Sequence, residues 1–260
     1  MGSQTKTRQE RLLYHLLHDG NIEVEAMAAT LGVSPSTVRR GLQELECRGL
    51  LKRTHGGAVP VEAPLYEPFR YDASFQQQDA VRTDEKRRIG LAASELVQSG
   101  EIIAISAGTT ATHVARCLKN RTNITIVTNA VNIAMELSHC PGLTVICTGG
   151  ILSGTWFSLL GPSAIRTVEE FNYDWAFVGV DGLDSSSGIT SNHLEEAALN
   201  RAMVTRSEKA VVVTDSSKLT KIARVHVCPV SALSLIITDT NAQPETLEGY
   251  RARGVDVKAV

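Results

Sequence analysis

Gly32-Val33-Ser34-Pro35-Ser36-Thr37-Val38-Arg39-Arg40-Gly41-Leu42-Gln43-Glu44-Leu45 is the stretch whose reading decides the fold of the N-terminal part. Gly32 ends one helical period and Ser34 opens the next. A serine hydroxyl accepts from the free amides of a helix start, and Pro35 has the fixed φ that suits the first helical position. Val38, Leu42 and Leu45 then recur at i, i+4 and i+7 and predict a helix with one buried face. Ser36, Thr37, Arg39, Arg40 and Gln43 are left on its outer face.

Upstream, Val24, Met27, Ala28 and Leu31 give a second amphipathic period from about Glu23 to Leu31. Leu12, Leu13, Leu16 and Leu17, stopped by Gly20, give a third. Two short helices joined by the tight Gly32-Val33 turn, the second polar and cationic outside, match a helix-turn-helix. The residue types fit contact with a duplex: Arg bonds guanine and Gln adenine through two hydrogen bonds, and Ser or Thr near a helix start reaches phosphate. Downstream, Gly49-Leu50-Leu51-Lys52-Arg53-Thr54-His55-Gly56-Gly57-Ala58-Val59 reads as a strand pair with a Gly-Gly turn, a wing beside the recognition helix. The expected DNA contacts are Ser34, Ser36, Thr37, Arg39, Arg40, Gln43, Arg53 and His55.

The whole chain of 260 residues has a formal net charge of −2, which taken alone argues against nucleic acid. The average hides a division. From Ser36 to His55 five basic side chains face two acidic ones, a net +3. Residues 1–60 carry +2 and the remainder −4, so a mildly basic part precedes an acidic one.

Residues 59–82 hold Pro60, Pro64 and Pro68, four aromatics and Gln76-Gln77-Gln78 without a period, and predict a linker. So many aromatics predict that part of it docks on a domain. From Thr83 onward apolar strands alternate with amphipathic helices. The strands are expected at 102–106, 124–128, 143–147, 175–180, 210–214, 235–238 and 255–259, and the helices at 85–98, 110–118, 130–138, 195–206 and 245–253. That pattern implies a mainly parallel sheet covered on both faces, with ligands at the carboxyl ends of its strands. Polar or glycine clusters stand there: Ser106-Ala107-Gly108-Thr109-Thr110, Thr128-Asn129, Gly149-Gly150, Asp181-Gly182 and Asp215-Ser216-Ser217-Lys218. The first opens a helix and suits an anion. No G-x-x-x-x-G-K-[ST] or G-x-G-x-x-G occurs, which argues against a nucleotide site.

The run from Gly32 to Arg40, then Leu45-Glu46 and Arg53-Thr54-His55-Gly56-Gly57-Ala58, resembles the N-terminal signature of DeoR-family bacterial transcription regulators. The family has Asp after the Arg pair, where this chain has Gly41. The C-terminal Gly-Thr-Thr, Thr-Asn, Gly-Gly and Asp-Ser-Ser-Lys motifs resemble the same family's sensor domain, itself similar to ribose-5-phosphate isomerase. There the family has Asp-Ser or Asp-Ala before Gly-Thr-Thr, and this chain has Ser106-Ala107. The resemblance implies that Lys86, Gly108, Thr109 and Thr110 hold a phosphate, with Asp181 and Lys218 near sugar hydroxyls. Ser106, Asn129, Gly149, Gly150, Gly182 and Asp215 complete the expected effector site.

The isomerase's Ala-Ala-Leu matches Ala197-Ala198-Leu199, which puts His193 at its Lys and Ala202 at its general-base Glu. Alanine moves no proton, and Glu195 or Glu196 would sit about two turns earlier, so no catalytic residue is expected. His113, one turn into the helix after Gly-Thr-Thr, and Trp156 with Phe157 are further candidates to line the pocket. Five widely spaced cysteines without Cys-x-x-Cys predict buried free thiols, and neither a metal site nor a cofactor is expected. No apolar run reaches the ~18–20 residues of a membrane span, nor does the start carry a signal peptide's apolar core. The fold expected is therefore an α/β chain: a winged helix-turn-helix over 1–60, a linker over 61–82, and a mainly parallel sensor of isomerase-like type over 83–260. It is expected to be cytoplasmic, to bind double-stranded operator DNA and a phosphorylated sugar, to repress carbohydrate catabolism genes, and to form a homodimer or homotetramer. The alternative is an isomerase-like enzyme with an appended DNA module.

Overall fold

A computed structural model describes residues 11, 12, 15, 21–47, 51–60, 73–154 and 156–260. The chain divides into two compact units, Met1–Tyr71 and Asp72–Val260. The boundary falls earlier than the expected start of the sensor at 83, because Ala73–Ala80 is helical and packs within the second unit.

The first unit contains β1 (Ile22–Glu23), α1 (Val24–Leu31), α2 (Pro35–Cys47), β2 (Leu51–Arg53) and β3 (Gly57–Pro60). Gly32 takes the left-handed conformation after α1, and its amide bonds back to Ala28 and Ala29. Val38, Leu42 and Leu45 are fully or almost fully buried with Val24, Met27, Ala28 and Leu12, as the periodicity requires. The wing is a three-stranded antiparallel sheet in the order β1-β3-β2, and its short first strand had no sequence pattern of its own. Leu13, Leu16, Leu17, Gly20 and Arg48 to Leu50 lie outside the described residues, as do the aromatics and prolines of 61–72. Gly41 sits over Leu12, whose Cδ1 would lie 2.9 Å from an added Cβ. The departure from the family pattern thus makes room for a buried leucine, at about 0.5–1 kcal/mol of helix propensity.

The second unit starts with α3 (Ala73–Ala80) and α4 (Thr83–Ser94). A seven-stranded sheet follows, every pairing parallel, in the order β15-β14-β12-β9-β4-β5-β6. Its strands are β4 (Ile102–Ile105), β5 (Ile124–Thr128), β6 (Leu143–Cys147), β9 (Tyr173–Val178), β12 (Ser207–Val213), β14 (Leu235–Thr238) and β15 (Asp256–Ala259). Alternate residues feed two cores. Ile103, Ile105, Ile126, Phe177, Val211 and Val213 pack beneath α4, α5 (Thr109–Cys117) and α6 (Val131–Leu137). Ala104, Val127, Ala176, Val178 and Val212 pack on the other face with α7 (Pro162–Glu169), α8 (Leu194–Thr205) and α9 (Pro244–Arg251).

Beyond the expected alternation stand α7 and two small antiparallel additions. These are the hairpin β7 (Ile151–Ser153) with β8 (Ser158–Leu160), and the sheet β10 (Gly182–Asp184), β11 (Gly188–Ser191), β13 (Val225–Cys228). Cys117, Cys140, Cys147 and Cys228 are free; of these only Cys228 is buried, and Cys147 is exposed, at the end of the edge strand β6. The reading of buried thiols is corrected there. No helix among the described residues is long and apolar enough to cross a membrane.

Gly57 marks where the wing is tightest, because a Cβ there would lie 1.7 Å from the Ile22 carbonyl oxygen. Gly57→Ala is expected to destabilise the first unit by about 2–3 kcal/mol, since backbone must move to admit the methyl. Hydrogen exchange should show lost protection in β2 and β3 with the seven-stranded sheet unaffected, and unchanged wing protection would refute the close approach.

Candidate functional site

In the first unit the expected contact residues share the outer face of α2 and the wing. Ser34 Oγ accepts from the Thr37 amide at 3.3 Å and pairs with the Ser36 and Thr37 hydroxyls at 2.9 and 2.8 Å, so three polar groups gather at the helix start. Arg40 and Gln43 are exposed, and neither side chain forms a hydrogen bond or ion pair among the described residues. Arg39 and Arg53 do. Arg39 Nη2 donates to Glu25 on α1 at 3.0 Å, with both side chains mostly exposed. Arg53 gives its Nε to Glu46 at 2.8 Å and its backbone amide to the same carboxylate at 3.0 Å. That amide first, and the guanidinium with it, holds the Glu46 carboxyl below its ordinary range. Exposed pairs of this kind add little to stability. The two glutamates, of which only Glu46 stood in a quoted motif and neither was expected at the arginines, orient them without locking them. His55 is exposed at the wing turn.

In the second unit β4 and β9 are neighbours, while β5 and β6 continue to one side and β12, β14 and β15 to the other. This is a topological switch point, where the segments after the strands diverge and open a crevice. Lys86, Gly108, Thr109, Thr110, Asn129, Asp181, Asp215 and Lys218 all line that pocket. Ser106, Gly149, Gly150 and Gly182 do not. Ser106 Oγ is turned into the strand junction, accepting from Gly179 N at 2.9 Å. Gly149 and Gly150 lead into the hairpin off the edge strand β6, and Gly182 packs against the Lys221 carbonyl.

One end of the pocket is cationic. Gly108 has φ 130°, Thr109 begins α5, and Lys86 is 4% exposed. Gly90 sets that geometry: a Cβ there would lie 2.6 Å from the His113 backbone, so α4 packs close to α5 and carries Lys86 to the pocket one turn earlier. The first amides of a helix have no partner within it, which suits an anion. Burial pulls the Lys86 ammonium below its ordinary value, and Asp215 and Asp79 partly offset this.

The other end is acidic and hydroxylic. Asp181 Oδ2 accepts from the Asn192 amide at 2.7 Å and the Ser191 hydroxyl at 3.2 Å, and Ser191 lies 3.4 Å from Glu196 Oε2. A single hydroxyl proton cannot serve both carboxylates. Burial, and then the Asp181 charge, raise the Glu196 carboxyl above its ordinary range. Sequence reasoning set Glu196 aside for its distance from the isomerase base position, yet it lines the pocket, whereas Ala202 packs against the core. Gln78, Trp156, Thr190, Asn200 and Thr214 also line it. Of these Trp156 stood out in the sequence and Thr214 closes the strand expected at 210–214; Gln78, Thr190 and Asn200 sit on elements whose folding back onto the crevice no local pattern shows. His113 does not line it and pairs instead with Asp79, Nε2 to Oδ1 at 3.2 Å. No cluster of metal-ligating side chains occurs among the described residues.

Comparison with known proteins agrees with this two-part organisation. Residues 8–63 match the DeoR-like helix-turn-helix domain and residues 81–240 the DeoR C terminal sensor domain. The chain is 34% identical over 250 residues to the HTH-type transcriptional regulator GlpR of Haloferax volcanii, covering 96% of each chain. It is 30% identical to the HTH-type transcriptional repressor CsqR of Escherichia coli K12, over 89% of this chain and 87% of that one. It is 29% identical to the glycerol-3-phosphate regulon repressor of the same strain, over 89% of this chain and 90% of that one. Among solved structures, ribose 5-phosphate isomerase A of Methanocaldococcus jannaschii aligns at TM-score 0.39 and 19% identity, over 52% of this chain and 54% of that one, too low a score to carry anything across. By the span of both matched domains and the identity to full-length relatives, the chain belongs to the DeoR family of helix-turn-helix transcription regulators.

Proposed function

We propose that this regulator represses carbohydrate catabolism genes by binding operator DNA through α2 and the wing, and that a phosphorylated sugar in the sensor pocket alters that binding. The observation that carries this reading is the pocket's polarity. A buried ammonium and a helix start line the same crevice as Asp181 and Glu196, which suits a molecule carrying both an anionic group and hydroxyls. Lys86, Gly108, Thr109 and Thr110 hold the phosphate; Asn129, Asp181, Asp215 and Lys218 meet the sugar. Ser106, Gly149, Gly150 and Gly182 act on the ligand only through the backbone they shape. Two of the relatives are repressors by name, one of them of a glycerol-3-phosphate regulon, which supports the direction of control and the phosphorylated ligand.

Arg40 and Gln43 read base edges. Ser34, Ser36, Thr37, Arg39, Arg53 and His55 contact the backbone. One winged unit spans only a few base pairs, so a homodimer or homotetramer on repeated half-sites completes the reader. Glu196 favours one second reading, a proton-transferring isomerase. Turnover of a pentose- or hexose-phosphate by the purified chain would establish it, and absence of turnover across such a panel would retire it.

Three outcomes test the proposal. Arg40→Ala should weaken binding to a duplex selected by the intact chain about 10–100-fold, the ~1–3 kcal/mol of a bidentate base contact, with little change on random duplex. Anisotropy titration measures this, and unchanged specific affinity would remove Arg40 from the reader. Phosphorylated sugars should raise the melting temperature, by up to about 2.7 kcal/mol of stability at a hundredfold excess over Kd, and their unphosphorylated forms should not. Lys86→Met should abolish that response while the chain remains folded.

The third outcome concerns Glu196. A carboxyl raised in the folded state contributes stability while protonated and loses it as pH rises through the folded value. Glu196→Gln should therefore raise the melting temperature near pH ~7, and the gain should shrink toward the ordinary carboxylate range. A lower melting temperature near neutrality would show that the ionised carboxylate is favourably held.

A further inference from the structure

The element of the second unit that begins closest to the unit boundary is α3, two residues beyond Tyr71. It has eight residues, below the ~12–15 at which an isolated helix begins to hold itself. Its place therefore depends on what it touches. Phe75 is buried with its ring edge-on to Phe157, centroids 5.4 Å apart at 75°. Asp79 bonds His113 at 3.2 Å and Arg116 at 3.4 Å. The Gln78 carbonyl accepts from the Lys86 ammonium. Just past the helix Arg82, at φ 57°, donates to the Ser216 hydroxyl at 2.8 Å and to Asp215 at 3.4 Å.

Most of these anchors line the pocket or neighbour residues that do. Phe157 follows Trp156, His113 lies one turn beyond the Gly108–Thr110 loop, and Lys86, Asp215 and Gln78 line the cavity themselves. We propose that α3 is a strap fastened by the pocket's ligand: an anion beside Lys86 tightens α3 on the sensor and passes occupancy into the segment that leads to the reader. The inference rests on the preceding reading of a phosphorylated ligand at Lys86.

Lysine has three N–H donors, so one can stay on the Gln78 carbonyl while the others meet an anion. The direct bond of this buried ammonium is to a neutral carbonyl, Asp215 and Asp79 offset its burial only in part, and an anion at the pocket adds the charge-assisted bond it lacks. Because Gln78 lines the pocket as well, a ligand contacts fastened α3 and loses that contact when α3 is released. It therefore binds the fastened state better, which is the differential affinity that a population shift requires. Phe157 adds a second tie. Its φ of 53° is costly for a residue with a Cβ and persists only where its surroundings hold it, and Phe75 is part of those surroundings.

Hydrogen exchange on the full chain tests the strap, with inorganic phosphate compared with chloride at equal ionic strength. Phosphate should raise the melting temperature and slow exchange over α3 about tenfold, more than in the interior of the seven-stranded sheet. In Phe75→Ala, phosphate should still raise the melting temperature while α3 exchanges fast and duplex affinity no longer responds. Asp79→Asn, which keeps the side chain's size, should uncouple in the same way and guards against a folding defect in the first variant. If phosphate changes neither melting temperature nor exchange, the phosphorylated-ligand reading falls and the strap with it. If phosphate raises the melting temperature but leaves α3 exchange unchanged, or if both variants keep the full DNA response, the strap alone is overturned.

Discussion

Between β4 and β9 one hydroxyl joins two strands whose continuations part company. Ser106 is fully buried, its amide bonds to the Phe177 carbonyl, and its Oγ accepts from Gly179 and donates to Ala107. Parallel strands whose crossovers leave in opposite directions must end their shared ladder somewhere, and buried amides beyond that point need other partners. Ser106 supplies one for Gly179. Asn129 does the same on the far side, its Oδ1 accepting from the Ala107 amide at 3.0 Å. With those groups satisfied the two chains separate, one into Gly108 and α5, the other into Asp181 and β10, and the gap between them is the pocket. The family's carboxylate at this position is also an acceptor, but it would add negative charge beside a crevice already holding Asp181 and Glu196. A hydroxyl closes the junction without that charge.

Within the pocket Asp215 is ion-paired with Arg82, whereas Lys86, Asp181 and Glu196 have neutral hydrogen-bond partners. Lys86 bonds a carbonyl, Asp181 bonds an amide and a hydroxyl, and Glu196 is left with a shared serine. Keeping the two ends on neutral partners leaves each with unused hydrogen-bonding capacity, and a buried group in that state is one whose compensation is expected from a ligand.

All seven strands of the parallel sheet were legible, because most hold a short apolar run, rich in β-branched residues in β4, β5, β6, β12 and β14, between turn-forming or polar segments. Residues 124–128, 143–147 and 235–238 coincide with β5, β6 and β14. The hairpin at 151–160 and the sheet around 182–191 were not. Ile151 and Leu152 are exposed rather than alternating in and out, and β11 pairs with β13 over a sequence distance that no local period records. The same limit hid part of the pocket. Lys86, Thr109 and Asp181 carry recognisable loops, whereas Gln78, Thr190 and Glu196 reach the crevice because α3, β11 and the first turn of α8 are folded onto it by tertiary packing. Gly41 shows the converse: a residue that looked like a local defect in α2 is explained only by its neighbour Leu12.

In the reader the acidic residues refine what net charge suggests. An arginine free in solution samples many rotamers, and binding a phosphate must order it. Glu25 and Glu46 hold Arg39 and Arg53 extended at little energetic gain, so exchanging a carboxylate for a phosphate replaces one charge-assisted bond by another with less ordering left to do. The same carboxylates weaken the field that attracts any duplex. On the reading of α2 as a base reader, non-specific attraction is lowered while Arg40 and Gln43, without a side-chain partner among the described residues, keep their donors for base edges. A chain with a net charge of −2 then binds DNA by geometry at a few positions more than by bulk charge.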